Sequence, residues 1–233
     1  MNVRRRAGFL LWAAVQFVVL TAIAMQVYGG GTIWDPYSPG YAFGGNFLSE
    51  LGATRAWSGH DNHASMVLFS LALGTLGIAF VAFASAWRGF AFTRRRGVAL
   101  GVAAQIFGTL SGLCFVAVAV TPVNLALQAH NMFVVCAFGL LLGYAVCMTT
   151  VWWRNGAGAA ELAASVVYVG FVLVYVGIVA WAVRHGVWTE HQHHINVLAQ
   201  KAMAYGSMLY IAFITMRVRR SQPSQIDRAR DLQ

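Results

Sequence analysis

The sequence predicts an all-α fold: a polytopic integral membrane protein whose six transmembrane helices form one bundle, with both termini cytoplasmic. Three observations carry that expectation. The first is composition. Of 233 residues, 59% are hydrophobic and only 10% charged, where a soluble domain carries about a quarter of its residues as charges. Sixteen Lys+Arg and seven Asp+Glu are too few to coat a globule in water, and a chain this apolar must bury its surface rather than stay disordered. The second is length, because six apolar stretches can each cross roughly 30 Å of hydrocarbon at about 1.5 Å per residue. The third is the placement of arginine, which follows the rule that positive charge near helix ends marks the cytoplasmic side.

The first span covers 7–28. Arg4, Arg5 and Arg6 precede it and Ala22-Ile23-Ala24 lies near its end, a layout shared with secretory signals. The apolar run is long for a signal, so a retained span is expected. A long outer loop, 29–62, leads to the second span, 63–87, and the remaining spans are 97–120, 127–152, 161–183 and 194–216. The connections then divide into two sets. One holds Arg4, Arg5, Arg6, Arg88, Arg94, Arg95, Arg96, Arg154, Arg217, Arg219, Arg220, Arg228 and Arg230; the other holds only Arg55 and Arg184. Every connection agrees with one orientation, which also requires an even number of spans. The six-helix domain is thus 1–220, followed by a polar tail, 221–233, expected to be mobile and cytoplasmic. A bacterial inner (plasma) membrane is the expected location.

Net charge is +9, but the basic residues are clustered between apolar runs as orientation anchors. No nucleic-acid footprint with interleaved aromatics is present. Cys114, Cys136 and Cys147 lie in apolar segments with no CxxC or metal spacing, and read as small packing residues. Gly97, Gly101, Gly108 and Gly112 form GxxxG pairs, Gly139 and Gly143 repeat the pattern, and Gly170 and Gly177 lie seven apart. Such stripes let helix backbones approach closely.

All seven histidines fall on the extracytoplasmic side of this arrangement, where metal binding or proton transfer would be sought. Three groups separate. The outer loop is too long to be a mere connection. Trp34, Tyr37, Tyr41, Phe43, Phe47 and Trp57 favour an ordered segment at headgroup level. Ser49 and Glu50 form its polar centre, Asn46 precedes them, and Gly29-Gly30-Gly31 reads as a flexible exit from the first helix. The loop ends His60-Asp61-Asn62-His63. There His60 and His63, at i and i+3, would share a helix face beside a carboxylate, which suits a metal. The same four residues also make a polar helix start, with Asp61 or Asn62 as cap.

The second group is His130-Asn131 after Thr121-Pro122-Val123-Asn124. His130 lies just inside the fourth span, where an ionisable group must face protein or water. The third is Glu190-His191-Gln192-His193-His194, leading into the last span, along which His193, Asn196, Gln200 and Ser207 fall on one stripe. Lys201 lies beside that stripe at membrane depth and is the chain's only lysine. An intramembrane charge points to function with a partner to be named. Glu50 and Asp61 are the acidic candidates, and snorkelling to the surface is the plainer alternative.

The stretch Asn46-Phe47-Leu48-Ser49-Glu50-Leu51-Gly52-Ala53-Thr54 resembles the Frag/DRAM/Sfk group of six-helix membrane proteins and its bacterial relatives. In that group the first outer loop carries a similar Ser-(Asp/Glu)-x-Gly. An Asn-containing start to the second helix (Asn62, with Ser65 and Phe69) and a histidine near the outer end of a later helix (His130) are also similar. The resemblance implies a six-span, N-in plan over most of the chain and involvement with membrane lipids or lipid-anchored proteins. His191–His194 and Lys201 have no counterpart in the family pattern.

Three functions compete at this stage. One is a metal-assisted hydrolase or transferase acting on a lipid. Its metal, with zinc the candidate, would be held by His60, His63, His130 and His193 or His194. Ser49, Glu50, Asp61 and Lys201 would carry the chemistry, and Asn46, Asn62, Asn131, Asn196 and Gln200 would bind substrate. The second is a non-catalytic lipid-binding, scaffold or accessory protein, with a membrane-protein partner or a second copy. The third is an ion or proton pathway through Lys201 and Glu50, for which Gln16 and Gln105 are the sole polar steps toward the cytoplasm.

Overall fold

The computed structural model describes residues 3–85, 98–154, 156, 158–185 and 189–221. Arg88, Arg94, Arg95 and Arg96 lie outside them, as do Arg228, Arg230 and the tail from residue 222 onward. Six α-helices follow in order: α1 Val3–Gln26, α2 His63–Ala84, α3 Val98–Ala119, α4 Leu127–Arg154, α5 Ala159–His185 and α6 Glu190–Ser221. A short 3₁₀ helix, Leu48–Gly52, lies in the connection between α1 and α2. All six helices are long and apolar enough to cross a membrane. Among the described residues no strand occurs, and the loop holds a single isolated antiparallel bridge, Arg55 to Asp61.

Helix bounds depart from expectation where polar residues propagate the helix. α1 starts at Val3 because arginine is a good helix former and Arg4–Arg6 simply extend it. α6 begins at Glu190, so His191, His193 and His194 stand on its first turns. Thr189 explains this start: its Oγ1 accepts from Gln192 N (3.3 Å) while Gln192 Oε1 accepts from Thr189 N (3.1 Å). That reciprocal pair is a capping box, which satisfies two otherwise orphaned donors. α2 begins at His63, so His60 lies before the helix and shares no face with His63. Asn62 occupies the cap position but its side chain makes no capping bond.

The helices pack as a ring, each against its chain neighbours, and α6 closes on α1. Small residues set the tightest crossing. A Cβ on Gly112 would stand 2.8 Å from the Gly77 carbonyl oxygen, and one on Gly77 would stand 2.7 Å from that of Gly112. Nothing larger than glycine fits there without separating α2 from α3. Gly108 is confined in the same way by Ala84 and Tyr144, and Gly143 by Phe107. Gly139, Gly170 and Gly177 have no neighbour among the described residues within 4 Å of such a Cβ, so the repeat expected to pack α5 meets no described helix.

At one end of the ring Arg6 Nη1 donates to Ala82 O (3.0 Å) and Ser85 Oγ (2.8 Å), and Arg217 pairs with Glu161 at 3.3 Å. These contacts join the start of α1 to the end of α2, and the start of α5 to the end of α6. The opposite end is covered by the segment 27–62.

Candidate functional site

That covering segment is a folded plug. Gly30 and Gly31 adopt φ of +93° and +83°, and a Cβ on Gly31 would lie 2.4 Å from Ser58 N. Gly31 N donates to Ser38 O and Ser58 N to Gly30 O. The Gly-Gly-Gly run is therefore a tight crossing of two loop strands that only glycine permits, rather than a flexible exit.

Asn46, fully buried, organises the interior of the plug. Its Oδ1 accepts from Ala42 N (2.8 Å), and its Nδ2 donates to Gly31 O (2.9 Å) and Glu50 Oε2 (2.7 Å). Its carbonyl oxygen accepts from Tyr41 Oη at 3.0 Å and from Lys201 Nζ of α6. Lys201 is 2% exposed, with Nζ 5.2 Å and 5.1 Å from the centroids of Tyr41 and Phe43. Lys201 thus turns into the plug and does not snorkel. Its cationic head rests on a carbonyl dipole and on the negative faces of two rings, and Asn46 stands between it and Glu50. Glu50 is 7% exposed. Burial pushes its carboxyl above the ordinary range, although hydrogen bonds from Asn46 and Trp57 pull the other way.

Two histidines of α6 dock the plug through backbone carbonyls. His193 Nε2 donates to Gly45 O and His194 Nδ1 to Gly44 O, each at 2.7 Å. Gln200 Oε1 accepts from Leu48 N at 2.7 Å. On the other flank Asn62 Oδ1 accepts from Gly29 N and its Nδ2 donates to Ala53 O. Ser65 Oγ donates to Leu51 O, and Asn124 exchanges two bonds with Thr54.

Beneath the plug, between α1, α2, α3, α4 and α6, lies a partly open chamber of about 80 Å³. Phe17, Phe69, Phe80, Phe138, Leu141 and Met208 represent its lining, which contains no charged residue. Ser49, Gln200 and Ser207 are its polar groups. The 3₁₀ helix forms the roof, through Leu48 and Ser49.

No protein-family model, curated protein or solved structure matches the chain. Its chemistry is therefore read from its own side chains.

The residues singled out from sequence fall into three places. Asn46, Glu50, Asn62, His193, Gln200 and Lys201 meet at the junction of plug and bundle. Asn196 is buried beside them but donates to Gln192 O within its own helix. Ser49 faces the chamber. The rest stand apart. His63 and Asp61 bond each other at the exposed surface, which holds the Asp61 carboxyl below its usual range. His60 is exposed beside Gly29 O, and Asn131 is exposed on α4. His130 donates from Nδ1 to Thr121 O (2.7 Å), terminating α3 rather than joining the other histidines.

Among the described residues no three His, Cys, Asp or Glu side chains converge to hold a metal. The five expected ligands do not fit a zinc ion: each is spent on a separate carbonyl or carboxylate. The serine and carboxylates expected as catalytic do not assemble either, since Glu50 is committed to Asn46 while Asp61 points to solvent. Sequence reasoning missed Tyr41 and Phe43 as the aromatic seat of Lys201, and the Gly44 and Gly45 carbonyls. A buried lone lysine near aromatic loop residues is a usable signal for the former. Backbone acceptors carry no side-chain signature at all.

Proposed function

We propose that this chain is a multi-pass membrane protein that binds a membrane lipid, with one lipid chain lying in the chamber beneath the plug. The observation that carries the reading is the chamber itself: an apolar interior volume bordered by a few neutral polar groups, the ordinary form of a small-molecule site. An occupant that fills such a cavity gains dispersion contacts along its lining.

In this reading both termini are cytoplasmic and the plug is extracytoplasmic. Its support is the thirteen arginines on one set of connections against two on the other. The membrane is a bacterial inner membrane, and the resemblance of Ser49–Gly52 to the Frag/DRAM/Sfk group points to lipids as well. Binding is favoured over hydrolysis because the plug's polar groups are paired with one another. Among the described residues Ser49 has no histidine or carboxylate partner to activate it, and His130, His193 and His194 hold backbone carbonyls.

The test is extraction of the protein purified in mild detergent, with mass spectrometry of what it carries. A lipid near one per chain is expected in the wild type. It should be lost in Leu141→Trp, which fills the chamber. Equal lipid in both proteins, or none in either, overturns the reading.

A further inference from the structure

Resting on that reading, we infer that the chamber selects an uncharged single-chain amphiphile whose one oxygen hydrogen-bonds Ser49 Oγ and Gln200 Nε2. The argument begins with what the lining polar groups have left to offer. Ser207 Oγ is occupied, donating to Met203 O and sharing a bond with Tyr168 Oη. Gln200 spends Oε1 on Leu48 N, and its Nε2 donors have no partner among the described residues. Ser49 Oγ has none either. Both groups line the chamber at its roof. One donor-only group beside one donor–acceptor hydroxyl matches a ligand oxygen that accepts, or accepts and donates: an alcohol, an ester carbonyl or a glycerol hydroxyl.

Charge is excluded by the surroundings. Among the described residues the lining contains no charged side chain, and the two nearby charges, Lys201 and Glu50, are both bound to Asn46. A charged headgroup at the roof would shed its water without a counter-ion, which is strongly unfavourable. Size argues for one chain. About 80 Å³ holds roughly five to eight water-sized groups, too little for two acyl chains. Direction follows from α6. Gln200, Ala204, Met208 and Ile211 line the chamber in succession, so the head end of the chain runs down that helix from the roof and the rest of a longer chain leaves through the chamber's open side.

The experiment is equilibrium binding of tritiated oleyl alcohol to the full chain in maltoside detergent. The competitors are hexadecane, oleyl sulfate and oleyltrimethylammonium, the last two permanently charged. Oleyl alcohol is expected to bind about fivefold more tightly than hexadecane and at least about tenfold more tightly than either charged probe. Ser49→Ala, which removes no protein hydrogen bond, should narrow the advantage of oleyl alcohol over hexadecane, the Gln200 bond remaining, and leave hexadecane unchanged. Equal binding of hexadecane and oleyl alcohol, tighter binding of a charged probe, or no effect of Ser49→Ala overturns this inference while leaving the chamber in place. Failure of every probe to bind, hexadecane included, or full binding by Leu141→Trp, overturns the lipid-binding reading itself. Should Leu141→Trp fail to fold, the Ser49→Ala comparison still decides the inference.

Discussion

Lys201, Asn46 and Glu50 form a chain of dependence in which no member is satisfied alone. Removing the cation leaves a carboxyl buried with less compensation. Lys201→Met should therefore destabilise the protein by about 3–5 kcal/mol, while adding Glu50→Gln should restore part of the loss. Thermal unfolding of both variants in one detergent measures the coupling, and simple additivity would show that the two groups do not communicate. Glu50 also sets a pH dependence. Its folded carboxyl lies above the ordinary value of 4.5 because it is buried. The stability it adds is complete below that value and is lost as pH rises through the raised one. Unfolding temperature should fall over that interval in the wild type, and Glu50→Gln should flatten the slope; an unchanged slope would reassign the titration. Lys201 and Glu50 were legible in the sequence as unusual charges. Asn46 as the atom between them was not, because its partners come from residues 31, 42, 50 and 201 and no spacing rule connects those numbers.

At the scale of the element, α2 and α3 are locked by facing glycines, whereas among the described residues α5 meets a glycine only through Phe171, which packs on Gly206 of α6. Gly112→Leu should force the α2–α3 backbones apart and cost about 1–3 kcal/mol or more, with a lowered unfolding temperature or loss of folded yield. Gly170→Leu, on a helix face with no neighbour, should leave stability unchanged. Equal sensitivity at the two sites would contradict the packing. α5 is also held by neutral hydroxyl pairs on α6, Tyr168 with Ser207 at 2.9 Å and Ser165 with Tyr210 at 3.0 Å. Such pairs orient membrane helices without burying a charge. A glycine repeat was readable in α3 and in α5, but the residues that meet a glycine belong to another helix. The pattern alone could not separate the packed repeat from the open one.

For the whole molecule, sidedness is the largest expectation still to be measured. In a background without Cys114, Cys136 and Cys147, Tyr37→Cys on the plug and Ala159→Cys at the opposite end are both exposed positions. A membrane-impermeant maleimide applied to intact cells should label the first and spare the second. The reverse pattern would invert the orientation.

The sequence by itself determined the class and the count of helices. A backbone in lipid must satisfy every polar group within the segment, so each crossing is written as a local run of apolar residues and can be read one window at a time. It also marked the junction residues, since Glu50, His193, Gln200 and Lys201 are polar where apolar residues would serve. Only the tertiary structure decided what those residues do. It sent the histidines to separate carbonyls, gave Lys201 an aromatic seat, closed the loop into a plug and left an apolar chamber beneath it. Each of these outcomes depends on pairings such as Leu48 with Gln200, or Gly45 with His193, about 150 positions apart. Such pairings are fixed by how six helices pack against one another, and local periodicity carries no record of that.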